Sequence, residues 1–443
     1  MSSLGSPNPF FIAGKKAYEV ERSLRFNDDD SAYLSRTPSS AGNRKKWTFS
    51  AWIKRGNLTN TMRIFGGNAN ASHIFFYGDN VYWDLAPEQS GTSAANLVAA
   101  RKTRDVGAWF HLVCALDTDE STANNRMRMY INGAEITDFG SRTNPSSGYA
   151  NNSINNNTLH TIGYRTGGQG SAGIGFDGYM AEINFIDGQQ YDASYFGETD
   201  AITGQWNPKK YTGSYGTNGF YLNFSTDTLG TDRSGNNNDF TPNNFSVVAG
   251  AGNDALSDTP TNNFATMNPL VPSPSVTWAN GNLDLGGSSS TQYNQTNTST
   301  FGVTSGKWYA EVKVTYSTNN VYVGICPINA VANANMTGSV TDAAVIRMDN
   351  TLFIEGSAPS AGTSISSGDI IGIALDMDNQ KVWFSVQGTY INSGNPSTGA
   401  NATFDGITAG ETIAICARPL NGTLNFNFGQ RDFEYTPPTG FKT

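Results

Sequence analysis

Along most of this chain apolar and polar residues alternate with a period of two. In 47–55, WTFSAWIKR, Trp47, Phe49, Ala51 and Ile53 share one face, while Thr48, Ser50 and Lys54 share the other. Successive side chains of a strand point to opposite faces, so this alternation predicts a half-buried β-strand. The run 109–117, WFHLVCALD, is nearly all apolar and reads as a central strand. In 127–136, Met127, Met129 and Ile131 point inward ahead of an Asn132-Gly133 pair, a strong hairpin-turn signal. FDGYMAEINFIDGQ (176–189) closes this first series with a strand and an Asp-Gly turn.

The pattern breaks over 191–264. Asp192 has the chemistry to cap one short helical turn that Gly197 stops, and a strand-like GFYLNF (219–224) precedes the turn-dense LGTDRSGNNNDF (229–240). Residues 257–275 hold four prolines and little periodicity, which predicts an extended linker between two independently folding units. Strands then resume. GKWYAEVKV (306–314) puts Trp308, Ala310, Val312 and Val314 on one face. Residues 368–388 form a hairpin with Ile371, Ile373, Leu375, Met377, Val382, Phe384 and Val386 inward, which leaves Trp383 on a face expected to be wet. Nothing in the pattern predicts a helix longer than a turn or two, a heptad or a tandem repeat. The simplest fold is all-β: two antiparallel β-sandwiches joined by a Pro/Asn-rich linker. The expected divisions are an N-terminal docking arm over 1–22, a first sandwich over 23–190, an extension and linker over 191–264, and a second sandwich over 265–443.

Composition agrees with short strands and many turns. Aromatic residues reach 12% and Gly, Asn, Ser and Thr abound, whereas charged residues are only 15%. A net charge of −9 sets the chain against phosphate backbones and anionic lipid, so nucleic acid is not an expected partner. No apolar run approaches the ~20 residues of a membrane helix, so no membrane insertion is expected. Phe10, Phe11 and Ile12 make an apolar cluster, too short for a secretion signal, in an arm where Pro7 and Pro9 forbid a helix. Such a cluster calls for cover, and docking on a partner would supply it. Cys114, Cys326 and Cys416 each lie in an apolar run and read as buried free thiols.

Candidate chemistry is sparse. His73, His111 and His160 are far apart in sequence, and no G-x-S-x-G is present. GQGSAG (168–173) has the spacing of a dinucleotide fingerprint but precedes a strand, so it reads as a loop. AEINF (181–185) offers one carboxylate, Glu182, where a retaining glycosidase needs a pair. No enzymatic activity is therefore expected. In FFYGDNVYWDL (75–85), Tyr77, Tyr82, Trp83 and Asp84 bring together the aromatic and polar groups that stack on and hydrogen-bond sugars.

LRFNDDDSAYL (24–34), WTFSAWIKR, IFGG (64–67), WFHLVCALD, MRMYINGAEI and FDGYMAEINFIDGQ together resemble the laminin-G-like, or concanavalin A-like, jelly roll in order and spacing. That resemblance implies a calcium at the sandwich rim, with Asp28 and Asp30 the candidate ligands and Asp232 and Asp239 a second pair. The D-x-SGNGN-type turn of that family here follows the domain, as DRSGNNND (232–239). GKWYAEV, the 368–388 hairpin and NFGQRDFEYTPPTGF (427–441) resemble the SPRY domain, with Gln387-Gly388 where the family has Asn-Gly. It implies partner contacts from the loops 315–320 and 326–338, with Arg347 nearby. The tandem resembles tail-fibre-like proteins of tailed phages. The expectation that follows is a homo-oligomeric virion protein, made in the host cytoplasm, which contacts other virion proteins or a host-surface glycan. A capsid decoration or tail-adaptor protein, a virion-bound glycan hydrolase and a bacterial surface adhesin remain alternatives.

Overall fold

A computed structural model describes residues 18–58, 61–67, 72–85, 94–166, 174–225, 228–250, 252–270, 276–287, 296–316, 321–330, 340–355, 357–359 and 363–442. Phe10, Phe11, Ile12 and the glycine-rich 168–173 lie outside the described residues, as do 317–320 and 331–338 of the two SPRY-like loops. Among the described residues there is no α-helix, only three 3-10 turns, and the strands pair antiparallel throughout. The all-β, double-sandwich expectation holds.

In the first sandwich one sheet is centred on Lys46–Arg55, flanked by Phe110–Asp117 on one side and Gly178–Asp187 on the other. The facing sheet runs Phe139–Thr143, Ala95–Lys102, Asn80–Leu85, His73–Tyr77, Thr61–Gly67, His160–Ile162, Tyr33–Arg36 and Thr241–Asn243. Between them Trp47 meets Trp83 with ring centroids 5.4 Å apart, and Phe49 stacks on Phe65 at 4.9 Å. The extension belongs to this sandwich. Phe220–Leu222 pairs with Gly178–Asp187, Thr241–Asn243 with Tyr33–Arg36, and Ala255–Leu256 with Ser23–Phe26. Asp232 shapes the turn between the first two, accepting hydrogen bonds from the Tyr221 and Ser234 amides, while Asp239 accepts from the Asp232 amide.

The second sandwich faces a seven-stranded sheet, with Lys307–Tyr316 and Ile370–Asp376 at its middle, against a five-stranded one centred on Val321–Pro327. Val312, Ile373, Phe384, Val323 and Ile413 fill its core. Trp383 corrects the expectation of a wet outer face: it is fully buried. The chain's own C-terminal segment covers it, with Phe433 and Phe441 packed around Trp383 and Tyr309. Lys442 is held by backbone bonds to Tyr309 and Lys307. Trp308 is half-buried at the strand mouth, its indole N–H donating to Ser305 O at 2.7 Å.

The segment read as an extended linker is, in its first half, a buried seam. Asp258, Thr259, Thr266 and Met267 are all sealed from solvent. The Lys54 ammonium, placed by period two on the outer face of its strand, donates to Asp258 Oδ2 at 2.8 Å, Asn263 Oδ1 at 2.8 Å and Phe264 O at 2.7 Å. Three donors meet three acceptors, so the buried charge is fully satisfied. Above it the turn at Asn280, Gly281 and Asn282 docks on the first sandwich. Tyr179 Oη donates to Gly281 O and Asn282 Nδ2 to Gly56 O, both at 2.8 Å. Gly281 sits at φ +60 with the Tyr179 ring 2.6 Å from where a Cβ would stand, so both its backbone and its neighbour demand glycine.

Candidate functional site

Among the described residues, the two outer faces of the first sandwich differ in how far they are covered. The outer face of the Lys46–Arg55 sheet is covered by the seam around Trp52 and Trp109, and by the extension, where Tyr191, Phe196 and Tyr211 pack on Val113, Tyr130 and Ile186. On the other sheet, the outward positions of four adjacent strands form a grid. His73, Asp84, Asn96 and Thr143 lie in one row, and Phe75, Tyr82, Val98 and Ser141 in the next, with Tyr77 opposite Asn80 beyond. All of these but His73 and Thr143 line a shallow cleft of about 630 Å³ together with Gly140.

The rings of the cleft make a corner. Phe75 and Tyr82 lie 5.1 Å apart at a tilt of 34°, and Tyr77 stands nearly perpendicular to Tyr82 at 5.8 Å. Tyr77 is 61% exposed, so its ring is open to solvent. Asp84 sits beside them, and burial pushes its carboxyl up to about 6. Among the described residues no hydrogen-bond donor reaches that carboxylate, and the nearest basic group, the His73 imidazole, is 3.9 Å away. The cleft's amides are largely committed: Asn80 donates to Ala99 O and accepts from Lys102 Nζ, and Asn96 Oδ1 accepts from Ser141 Oγ. Trp83 corrects the sequence expectation. It follows Tyr82 in a strand, so it points to the opposite face and is wholly buried against Trp47. Tyr77, Tyr82 and Asp84 are brought together, and Phe75, Asn96 and Ser141 join them. Phe75 was readable at i−2 from Tyr77, whereas Asn96 and Ser141 come from strands whose register the sequence does not show.

The other candidates fall elsewhere. Asp28 and Asp30 lie in a turn closed by the Ser31 amide on Asp28 O, with Asp30 Oδ2 accepting from Asn27 Nδ2 at 2.8 Å. Burial, then Asp29, raises the Asp28 carboxyl. Among the described residues no group of three or more His, Cys, Asp or Glu side chains is placed to hold a metal. Asp232 Oδ1 already takes two amide donors, and Oδ2 takes the Ser234 hydroxyl and the Asn238 amide, so its lone pairs serve the turn. Arg347 stands on the outer face of the five-stranded sheet. Its guanidinium lies 5.1 Å from the Phe353 ring centre and pairs with Asp349, which raises its pKa further. That guanidinium is occupied within its own sheet.

Two buried arrangements bear on catalysis. Ser50 Oγ is 2.8 Å from His111 Nε2, the outline of a nucleophile and base. The Trp206 indole N–H, which can only donate, points at His111 Nδ1 at 3.1 Å. That bond puts the imidazole proton on Nε2, where it is donated to Ser50, and burial holds His111 neutral by pushing it down to about 3. The imidazole is thus turned the wrong way to act as a base. Glu182 is buried at a bulge, with φ +51, and accepts from the Tyr18 and Tyr221 hydroxyls at 2.8 and 2.7 Å. Burial raises its carboxyl, the tyrosines lower it, and Lys210 is the charged group that acts on it.

Comparison with known proteins agrees with this architecture. Residues 27–189 match the laminin G family described as the concanavalin A-like lectin/glucanases superfamily. Residues 307–431 match the SPRY domain family, so the chain carries one domain of each kind. No curated protein matches it by sequence. Among solved structures, the SPRY domain of human HERC1 is 18% identical, with 38% of this chain and 99% of that one covered at a TM-score of 0.30. A candidate carbohydrate binding protein from Bacteroides ovatus is 14% identical over 51% of this chain and 59% of that one, at 0.35. A heptameric SAP-like pentraxin from Limulus polyphemus is 16% identical, covering 40% and 80%, at 0.29.

Proposed function

We propose that this chain is a non-catalytic glycan-recognition protein that binds saccharide on the open face of the first sandwich, as part of a tailed-phage virion. The observation behind the binding reading is the aromatic corner of Phe75, Tyr77 and Tyr82 beside Asp84, on an outer sheet face that no other described segment covers at the cleft. Rings of this kind stack on the apolar faces of sugars, and an edge of hydrogen-bonding groups sets orientation. The match to a superfamily of lectins and glucanases supports the same reading. The inverted Ser50–His111 pair and the lone Glu182 support recognition without hydrolysis. The virion context rests on the laminin-G-like and SPRY tandem with its DRSGNNND extension.

A glycan array probed with the parent chain and with Tyr82→Ala tests the binding reading: hits that vanish in the variant support it, and hits that persist place the site elsewhere. Immunogold labelling of intact virions tests the context. Release of new reducing ends from bound polysaccharide would replace recognition with hydrolysis.

A further inference from the structure

We propose that the Asp84 cleft selects the ammonium group of an amino sugar over the same sugar in neutral form. The inference rests on the glycan reading above and narrows it to a ligand class. Asp84 is the one carboxylate among the cleft's lining residues, and none of those residues is cationic. Its two oxygens accept no hydrogen bond from any described residue, and its nearest positive partner is an imidazole at 3.9 Å. A carboxylate in such a place lacks donors of its own and must find them in solvent or in a ligand.

The rings decide what kind of donor fits. Aromatic faces are electron-rich, so a cation over them is attracted while an anion over them is disfavoured. Phe75, Tyr82 and Tyr77 form an angled wall next to Asp84, at centroid spacings of 5.1 and 5.8 Å. A hydroxyl donor would satisfy one oxygen of Asp84 and leave the charge uncompensated. An ammonium satisfies the same oxygen, neutralises the charge and meets a ring face at once, and its charge-assisted bond is roughly twice as strong as a neutral one. The sugar's ring carbons then lie against Tyr82 or Tyr77, which a free metal ion or small inorganic cation could not exploit. Lys102 does not compete for Asp84. Its ammonium is bonded to Asn80 Oδ1, and Asn80 is four positions from Asp84, about 13 Å along the strand.

The test is calorimetric titration of the whole chain, near neutral pH, with three probes: glucosamine oligomers, N-acetylglucosamine oligomers of equal length, and oligolysine. The expected result is about tenfold tighter binding of the glucosamine oligomer than of its acetylated counterpart. Asp84→Asn should bring the two to within about twofold, and Tyr82→Ala should abolish both. Melting curves confirm that both variants fold, since both side chains face outward. Equal binding of the two sugars, still lost in Tyr82→Ala, overturns the ammonium selection and leaves the glycan reading intact. Asp84-dependent binding of oligolysine without binding of glucosamine oligomers overturns the sugar and points to a protein ligand. Binding of none of the three overturns this inference, and the glycan array then decides the broader reading by itself.

Discussion

Lys54 Nζ and Asp258 Oδ2 lie 2.8 Å apart, and neither side chain is more than 1% exposed. The two residues belong to different parts of the chain: Lys54 to a central strand of the first sandwich, Asp258 to the segment leading into the second. Asp258 Oδ1 also accepts the Trp109 indole N–H at 2.8 Å. One carboxylate therefore ties an ammonium, an indole and the connecting segment together, and it makes the junction a fixed structure.

Removing that carboxylate should be costly. Asp258→Ala strands a buried ammonium and should destabilise the chain by about 3–5 kcal/mol. The double variant Lys54→Met, Asp258→Leu removes both charges and should recover most of that loss. Urea melts of the parent, single and double variants check this. A single variant within error of the parent would show that the seam opens to water.

Trp383 and Phe384 are neighbours in one strand, point to opposite faces, and are both fully buried. Each alanine substitution should cost on the order of 3–5 kcal/mol. Trp383→Ala also strands its partner Ala400 O, now 2.8 Å from the indole nitrogen. Truncation before Phe433 should mimic Trp383→Ala by stripping the cover from that face. Thermal melts that leave Trp383→Ala near the parent would mean the C-terminal segment does not stay docked.

Tyr82 and Trp83 should separate binding from stability. Tyr82→Ala should abolish saccharide binding and shift the melting temperature little. Trp83→Ala should cost on the order of 3–5 kcal/mol through loss of its packing on Trp47. Binding isotherms beside melting curves for the two variants decide it, and a reversed assignment would mean the strand Asn80–Leu85 is turned over.

Asp177 should make stability depend on pH. Burial, and then Asp28, pushes its carboxyl up to about 7. Unfolded, it ionises near its ordinary value of about 4. Between those values the folded chain holds a proton that the unfolded chain has lost, so this residue's contribution falls as pH rises, by on the order of 4 kcal/mol across the window. Asp177→Asn keeps an acceptor for the Gly281 amide and removes the titration. Its advantage over the parent should vanish near about pH 4 and be greatest above about pH 7. Parallel pH dependences of parent and variant would show that Asp177 stays ionised when folded.

Strand positions were legible because period two survives wherever one face is buried: Trp47, Phe49, Ala51 and Ile53 do line the core. The same rule separates Tyr82 from Trp83, since adjacent strand residues cannot share a face. It does not tell whether the second face is wet. Lys54 and Trp383 both lie opposite a core face, and both are sealed by segments with no periodicity of their own, 257–264 and 433–442. Prolines and asparagines made the first of these look like a spacer. The burial of both depends on long-range contacts, which local pattern does not encode. The cleft was half legible for the same reason, with its tyrosines and Asp84 close in sequence and Asn96 and Ser141 brought in by register.

The pairing of Ser23–Phe26 with Ala255–Leu256 has a consequence for synthesis on the ribosome. Arg25 and Asp254, joined by a buried ion pair, are 229 residues apart in the chain. The strand Ser23–Phe26 must therefore wait, with one edge unpaired, until the 229 residues from Arg25 to Asp254 have been translated. Exposed edges recruit other strands, and on a polysome the nearest ones belong to sister chains. Slow elongation before codon 254 would prolong that hazard. A messenger truncated there should yield aggregate, even though it encodes every residue of the saccharide cleft.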